Sequence, residues 1–236
     1  MKKEPMNFLL GSEHECDYLP GRLARSAFLI SNPDRALSDY RFLIKQGFRR
    51  SGDLIYRPYC RECKACIPVR IPVEQFCPSR GQRRIWNKNA DLCVERKPPV
   101  FNQRHFDLYR RYLNARHTGG TMCESSPEEY IQFLATDWAE TGFYEFKLDD
   151  RIIAVAVVDH LHDALSAVYT FFDPELAHRS LGGYAILWEI NETRKLGLPF
   201  LYLGYWIQAC RKMTYKKQYR PLEGQFANDW QPIKEQ

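Results

Sequence analysis

Leu37, Tyr40, Leu43 and Ile44 recur at a spacing that places them on one stripe of a helix. Asn32-Pro33-Asp34 supplies a start signal before that stripe and Gly47 a stop after it, so the pattern predicts a helix between them. Residues 48–57 read as a hairpin turning at Ser51-Gly52-Asp53. Ile67, Val69, Ile71 and Val73 alternate as in a half-buried strand. Pro68 and Pro72 cannot donate to a ladder, which predicts that this strand lies at a sheet edge. The first 75 residues thus read as a small α+β unit. Residues 80–89 have helical character, with Arg80, Arg83, Arg84 and Lys88 spaced to share one face.

Pro98-Pro99 cannot continue a helix, and the charge balance changes sign there, which predicts a boundary between domains 1–97 and 98–236. Beyond it, Asn102 caps a helix running to about Ala115. After a loop containing Gly119-Gly120, Ser126-Pro127-Glu128-Glu129 starts a second helix carrying Tyr130, Phe133 and Leu134. Residues 143–148, 151–160 and 164–172 are strand-like runs joined at Asp149-Asp150 and around His162-Asp163, an antiparallel meander. The period then changes: residues 180–196 form a long helix stopped by Gly197, 200–206 a strand, and 210–218 a short, strongly basic helix. Three antiparallel strands, a helix, a strand and a helix describe the N-acetyltransferase-like acyltransferases. The expected fold class is therefore α+β, a small N-terminal α+β domain followed by an N-acetyltransferase-like domain with a mixed, largely antiparallel sheet. That expectation is an analogy of fold, which does not fix chemistry.

A hydrophobic content of 44% in 236 residues supports a real core and excludes a disordered tail. The longest apolar run, residues 152–158, is far short of the roughly 20 residues that span a bilayer, and Met1-Lys2-Lys3-Glu4-Pro5 opens no apolar export signal. No membrane partner and a cytoplasmic location are expected. Of the net +5, residues 1–97 hold 19 Lys+Arg against 11 Asp+Glu, and residues 98–236 hold 15 against 18, so the first part is the one that would face a polyanion.

Eight cysteines without an export signal point to reduced thiols or metal ligands rather than disulfides. Cys60, Cys63 and Cys66 form two overlapping C-x2-C units, and Cys16 makes a fourth thiol. Four such thiolates would suit tetrahedral zinc or an iron-sulfur cluster; reduced thiols holding no ion are the alternative. Cys77, Cys93, Cys123 and Cys210 stand alone and read as small core residues. Arg80, Arg83, Arg84 and Lys88 surround Trp86, joining cations for phosphates to a ring that stacks on a base. The grouping recurs at Arg211, Lys212, Lys216, Lys217 and Arg220, interleaved with Tyr215 and Tyr219. A solvated face explains either cluster alone; the pair points to RNA, and no helix-turn-helix or zinc-finger spacing points to DNA. Arg179-Ser180-Leu181-Gly182-Gly183-Tyr184 partly matches the loop that cradles coenzyme A but fails at Tyr184, so its glycines are expected to serve a tight strand-to-helix turn.

Longer motifs carry a family resemblance. Cys16-Asp17-Tyr18-Leu19-Pro20-Gly21-Arg22, Gly47-Phe48-Arg49-Arg50-Ser51-Gly52 and Tyr56-Arg57-Pro58 stand in the first part, with Ser79-Arg80 and Gln82-Arg83-Arg84. Tyr169-Thr170-Phe171-Phe172-Asp173-Pro174, Tyr202-Leu203-Gly204-Tyr205-Trp206-Ile207 and Lys212-Met213-Thr214-Tyr215-Lys216 stand in the second. Together they resemble the bacterial leucyl-tRNA-protein transferases acting on N-terminal Asp or Glu, relatives of the arginyl-tRNA-protein transferases. The resemblance implies an aminoacyl-tRNA donor, acceptor proteins with acidic N-termini, and marking for degradation by the N-degron pathway. Leucine is the expected donor and arginine the alternative. The eukaryotic relatives carry a second cysteine three residues after the first, where this chain has Leu19, so any metal would be held by Cys16, Cys60, Cys63 and Cys66.

The donor ester is already activated, so the transfer needs no cofactor and no covalent nucleophile, only positioning and stabilisation of an oxyanion. The expected reacting centre has Tyr169 donating to the oxyanion or leaving oxygen and Glu189 or Asp159 holding the attacking amine. Arg80, Arg83, Arg84, Lys88, Trp206, Lys212, Tyr215 and Lys216 are the expected tRNA and substrate contacts, and an Arg fork would also suit an acidic acceptor. A coenzyme A-dependent acetyltransferase and a non-enzymatic, metal-containing RNA-binding module are the competing readings.

Overall fold

The computed structural model describes residues 5–116, 125–227 and 229–234. The chain opens with β1 (Asn7–Leu10), the short β2 (His14–Glu15) and β3 (Leu23–Ala24), and β4 (Ser26–Ile30). α1 (Ala36–Leu43) follows, flanked by 3-10 turns at Pro33–Arg35 and Ile44–Gln46. The expected signals fix its ends: the Asn32 side chain accepts from the Asp34 amide, and Gly47 turns left-handed at φ +85°. β5 (Arg49–Ser51) and β6 (Leu54–Pro58) are the predicted hairpin and complete a four-stranded sheet ordered β1-β4-β6-β5. Gly52 at the hairpin tip has φ +55°, and any Cβ there would strike the Gln132 carbonyl.

The remaining elements are β7 (Ile67–Pro72), α2 (Arg80–Lys88), β8 (Cys93–Lys97), α3 (Gln103–Arg116) and α4 (Pro127–Leu134). After them come β9 (Glu140–Leu148), β10 (Arg151–His160), β11 (Ala164–Phe172), α5 (Leu181–Lys195), β12 (Phe200–Trp206), β13 (Glu223–Phe226) and β14 (Asp229–Pro232). An eight-stranded sheet orders them β14-β13-β7-β12-β11-β10-β9-β8. Every pairing is antiparallel except β11 with β12, so the sheet is mixed and largely antiparallel as expected. It draws strands from both sides of Pro98-Pro99, since β7 and β8 precede the break and β9 to β14 follow it.

β7 corrects one expectation: it is an interior strand. The sheet tolerates its prolines because the ladder to β13 uses only Val69 and Arg70, which lie between them. On the β12 side the register slips between Tyr202 and Tyr205, next to the position opposite Pro68. The last basic segment also differs, forming a 3-10 helix (Arg211–Gln218) whose one buried residue is Lys216. Without an apolar stripe nothing holds it to the α-helical period. The loop expected around Gly119-Gly120 lies outside the described residues, and β8 and the β13-β14 hairpin had no clear alternation to announce them.

α5 covers one face of the large sheet, packing Leu181, Tyr184, Ala185 and Trp188 on Phe146, Ile153, Leu165 and Leu203. α3 and α4 cover the other, where Tyr109, Leu113, Tyr130 and Leu134 meet Phe143, Val155 and Phe171. Tyr40 and Leu43 of α1 and Ile44 of the following turn join Ile55, Leu161 and Tyr202 in a third cluster that binds the small sheet to the large one. Among the described residues no helix is long and apolar enough to cross a membrane.

One buried ion pair bridges the two sheets. Arg50 of β5 donates through Nε and Nη2 to both oxygens of Asp159 in β10, each at 2.6 Å, and both side chains are fully buried. The Thr141 hydroxyl also donates to Asp159, at 2.8 Å, while the Arg50 Nη2 donates to the Leu134 carbonyl at 3.0 Å. Losing one partner of such a pair leaves an uncompensated buried charge. Asp159→Ala should therefore cost about 3–5 kcal/mol in denaturant unfolding. A loss below about 1 kcal/mol, the value of an exposed pair, would contradict this reading.

Candidate active site where two parallel strands part

β11 and β12 pair only at Ala164 with Phe200, Leu165 with Leu201 and Ser166 with Tyr202, and beyond that the two strands diverge. At the same level the ladder between β12 and β7 slips, and Gly204 adopts φ +71°, which disfavours any side chain. The carbonyls here are taken up by two cations. Lys216 donates from Nζ to Leu203 at 2.8 Å and to Tyr205 at 2.5 Å. Arg49 donates from Nη2 to Gly204 at 3.2 Å and Val69 at 3.4 Å, and from Nη1 to Phe48 at 2.6 Å. The rings of Tyr202 and Tyr205 flank that guanidinium at 5.2 and 5.6 Å. Burial, and then the neighbouring Arg49, push the Lys216 ammonium down to about 7.

Glu189 belongs to α5, the helix that packs on the Leu165 and Leu203 face of the sheet, and is wholly buried. Neither carboxyl oxygen has a hydrogen-bond partner among the described residues, and burial alone pushes the group up to about 8. Its charge would oppose ionisation of Tyr144, Tyr215 and Tyr219, which places those phenols around it. A buried carboxyl of this kind is primed for a cation or for a proton arriving from one. Trp206 closes β12 with a buried indole whose Nε1 is unpaired among the described residues, and the Lys217 ammonium lies 5.2 Å from its ring. Of the residues read separately in the sequence, Tyr215 is brought beside Glu189 and its ring lies 5.9 Å from the Lys216 ammonium, while Trp206 neighbours Lys217.

Two expected participants stand elsewhere. Tyr169 lies on the opposite face of the sheet, edge-on to Phe133 at 5.3 Å and near Tyr109 at 6.1 Å, so it does not share the Glu189 pocket. Asp159 spends both oxygens on Arg50 and Thr141, which commits it to joining the sheets rather than to an incoming amine. Lys216, expected on tRNA, faces inward onto carbonyls because β12 leaves them unpaired. Lys212 and Arg211 are exposed.

Arg80, Arg83, Arg84 and Lys88 line the exposed side of α2, whose start is fixed by a reciprocal cap between Ser79 and Gln82. Arg83 donates to the Pro78 carbonyl at 2.5 Å and Lys88 to that of His178 at 2.9 Å. At the start of α5 the left-handed residue is Ser180, at φ +54°, not a glycine. Gly182 and Gly183 sit inside the helix; a Cβ on Gly182 would come within 3.0 Å of the Phe172 ring, whereas one on Gly183 would meet Ile85 and Tyr219 at ordinary contact distance. Arg179 is bound to Asp91, and Tyr184 is buried against Trp86, so the coenzyme A-type loop is filled by the chain itself.

Cys16, Cys60, Cys63 and Cys66 are half-buried neighbours. Burial, followed by Cys60, Cys16 and Cys63, pushes the Cys66 thiol up to about 12. Among the described residues no three ligand-type side chains converge on one point as a metal ion requires, so these thiols as placed do not form a tetrahedral cage. Of the cysteines expected in the core, Cys210 is buried, Cys77 and Cys93 are exposed, and Cys123 lies outside the described residues.

Arg49 was invisible as a site residue, because the carbonyl that it holds at Gly204 lies 155 positions away. Lys216→Met removes the donor to two buried carbonyls, each worth about 1–3 kcal/mol when orphaned. Denaturant unfolding should show a loss of about 2–5 kcal/mol, and an unchanged midpoint would contradict the clamp.

Comparison with known proteins places this architecture. Residues 14–84 match the family described as "Arginine-tRNA-protein transferase, N terminus", and residues 104–225 the one described as "Arginine-tRNA-protein transferase, C terminus". The chain is 50% identical over 218 residues to an aspartate/glutamate leucyltransferase of Pseudomonas fluorescens, covering 92% of this chain and 93% of that one. It is 48% identical over 230 residues to an aspartate/glutamate leucyltransferase of Nitrosococcus oceani, covering 97% of each. The solved structure of L-PGS from Bacillus licheniformis superposes with a TM-score of 0.49 at 12% identity, over 85% of this chain and 68% of that one. Both parts of the family pattern are present and the relatives match over nearly their full length, so the chain belongs to the arginine-tRNA-protein transferase family and is an enzyme of the transferase class.

Proposed function

We propose that this chain is a cytoplasmic enzyme that transfers leucine from Leu-tRNA to the α-amine of proteins beginning with Asp or Glu, marking them for the N-degron pathway. Its aspartate/glutamate leucyltransferase relatives support this choice of donor and acceptor. The buried, unpaired carboxyl of Glu189 carries the reading of the chemistry. An α-ammonium group has a pKa of about 7.7–8.0, and Glu189 titrates at about 8. A proton therefore passes between them at almost no cost, and Glu189 acts as the general base. The neutral amine attacks the ester carbonyl, the tetrahedral oxyanion collapses, and the leaving 3′-oxygen takes up the proton, so the tRNA departs neutral at that oxygen. Tyr215, partly exposed and beside Glu189, takes the hydrogen-bonding role that Tyr169 on the other face is not placed to fill.

The exposed cations of α2 and of the segment at Arg211 and Lys212 suit tRNA phosphates, and a guanidinium on α2 suits the acceptor carboxylate. The ester is activated before it arrives, so every step above uses the chain's own residues. Cys16, Cys60, Cys63 and Cys66 are the set that would hold zinc or an iron-sulfur cluster, after a shift of the Cys60 to Cys66 loop. Arginine is the second donor to test, because the matching family description names it.

Incubation with labelled Leu-tRNA or Arg-tRNA and peptides starting with Asp, Glu, Arg or Lys should place label from Leu-tRNA on the Asp and Glu peptides. No label from either donor would overturn the proposal. Only deprotonated Glu189 accepts a proton, so single-turnover rates should rise with pH and level above about 8. Glu189→Gln should be about 10²–10⁴-fold slower and lack that dependence; a wild-type profile in the variant would exclude the role. The folded chain keeps on Glu189 a proton that the unfolded chain releases near 4.5, so this group makes stability fall as pH rises from there to about 8. Glu189→Gln should abolish that decline. Elemental analysis after anaerobic purification should find stoichiometric zinc or iron if the thiols hold a metal, and none would refute that part.

A further inference from the structure

We infer that the cleft between α2 and α5 is a receptor for one unpaired nucleotide of the donor tRNA's single-stranded acceptor end. The inference rests on the proposed RNA-borne donor and assigns part of it to a site separate from the Glu189 pocket. The cleft has a volume of about 300 Å³, and its floor is apolar and aromatic, formed by Trp86 and Phe76 with Leu187 and Ile190. On α5 the lining residues Leu187, Ile190, Asn191 and Arg194 follow a helical spacing, and Glu189 lies off that stripe. The ring of Trp86 is braced by Tyr184, whose centroid is 5.5 Å away, so its orientation is set before anything binds.

The polar rim determines the class of ligand. Asn87 from one wall and Asn191 from the other make no side-chain hydrogen bond among the described residues. A side-chain amide offers a donor and an acceptor side by side, the pattern that pairs with a base edge. Arg83 and Arg194 also line the cleft, and both are already tethered, Arg83 to the Pro78 carbonyl and Arg194 to those of Val73 and Phe76. Each keeps N–H groups for ribose or phosphate oxygens, at little further entropic cost. The exposed row of Arg80, Arg84 and Lys88 on α2 continues the positive charge along the path of the backbone. A stacking floor, amides at the edge and tethered guanidinium groups together describe a nucleotide seated base-down. A peptide side chain would leave the two amides unused, and no carboxylate lines the cleft to suit a cationic ligand.

The test uses the whole chain and uncharged tRNA carrying 2-aminopurine in its unpaired acceptor end, so that binding is read without transfer. The wild-type chain should quench that fluorescence by stacking, and Trp86→Phe should weaken the quenching. Asn87→Ala with Asn191→Ala, both outside the core, should raise the Kd for tRNA about tenfold. Wild-type tRNA affinity in the double variant would overturn the assignment. So would competition by free AMP at the same concentration as RNA, which would make the cleft a site for a free nucleotide. Transfer by the wild type with unaltered RNA affinity in the variants sinks the cleft and spares the function. RNA binding with no transfer does the reverse.

Discussion

Where β12 leaves β11 it gives up ladder partners for its carbonyls, and the arrangement of the site follows from how they are recovered. A buried carbonyl without a donor costs as much as a lost hydrogen bond, so strands part in a protein interior only where something else donates. Here Lys216 donates to Leu203 and Tyr205, and Arg49 to Gly204, with Gly204 supplying a left-handed turn between them. The opening is thereby a fixed feature of the fold. On the α5 side of the sheet, Glu189 carries a carboxyl that makes no hydrogen bond among the described residues.

Arg49 and Arg50 show how the two sheets are made to depend on each other. Successive residues of a strand point to opposite faces, so neighbours in sequence reach different parts of the large sheet. Arg49 holds the kink in β12, and Arg50 holds Asp159 in β10. The hairpin that presents them is itself anchored by α1, whose buried side chains share a cluster with Tyr202. The N-terminal part is therefore a structural component of the large sheet where β12 bends away, and not only a basic surface for a polyanion.

Much of this was legible in the sequence because it is locally encoded. Periodicity and caps located α1, α2, α3, α4 and α5, and alternation located β9, β10, β11 and β12, with the acyltransferase-like order of elements among them. Glu189 was named for the attacking amine, and Tyr215 and Trp206 for tRNA and substrate, from residue type alone, which gives their chemistry but not their surroundings. What local pattern does not encode is direction. Lys216 and Lys212 read alike in a basic run, yet one turns inward because β12 has carbonyls to satisfy. Asp159 read as a candidate for an amine, whereas its cation was Arg50, 109 residues earlier. Tyr169 was placed correctly on β11, but the face it takes was not legible, because an extra residue in β11, Val168, shifts the register against Val157 and Val158 of β10. Pro68 and Pro72 misled for a related reason: the ladder beside β7 is short enough to fit between them.

The account depends most directly on the state of one carboxyl group. Difference infrared spectroscopy of the wild-type chain against Glu189→Gln isolates the C=O stretch of a protonated side chain as pH is varied. The buried, unpartnered position predicts a protonated acid at neutral pH that ionises near 8. A carboxylate already ionised at pH 6 would contradict it.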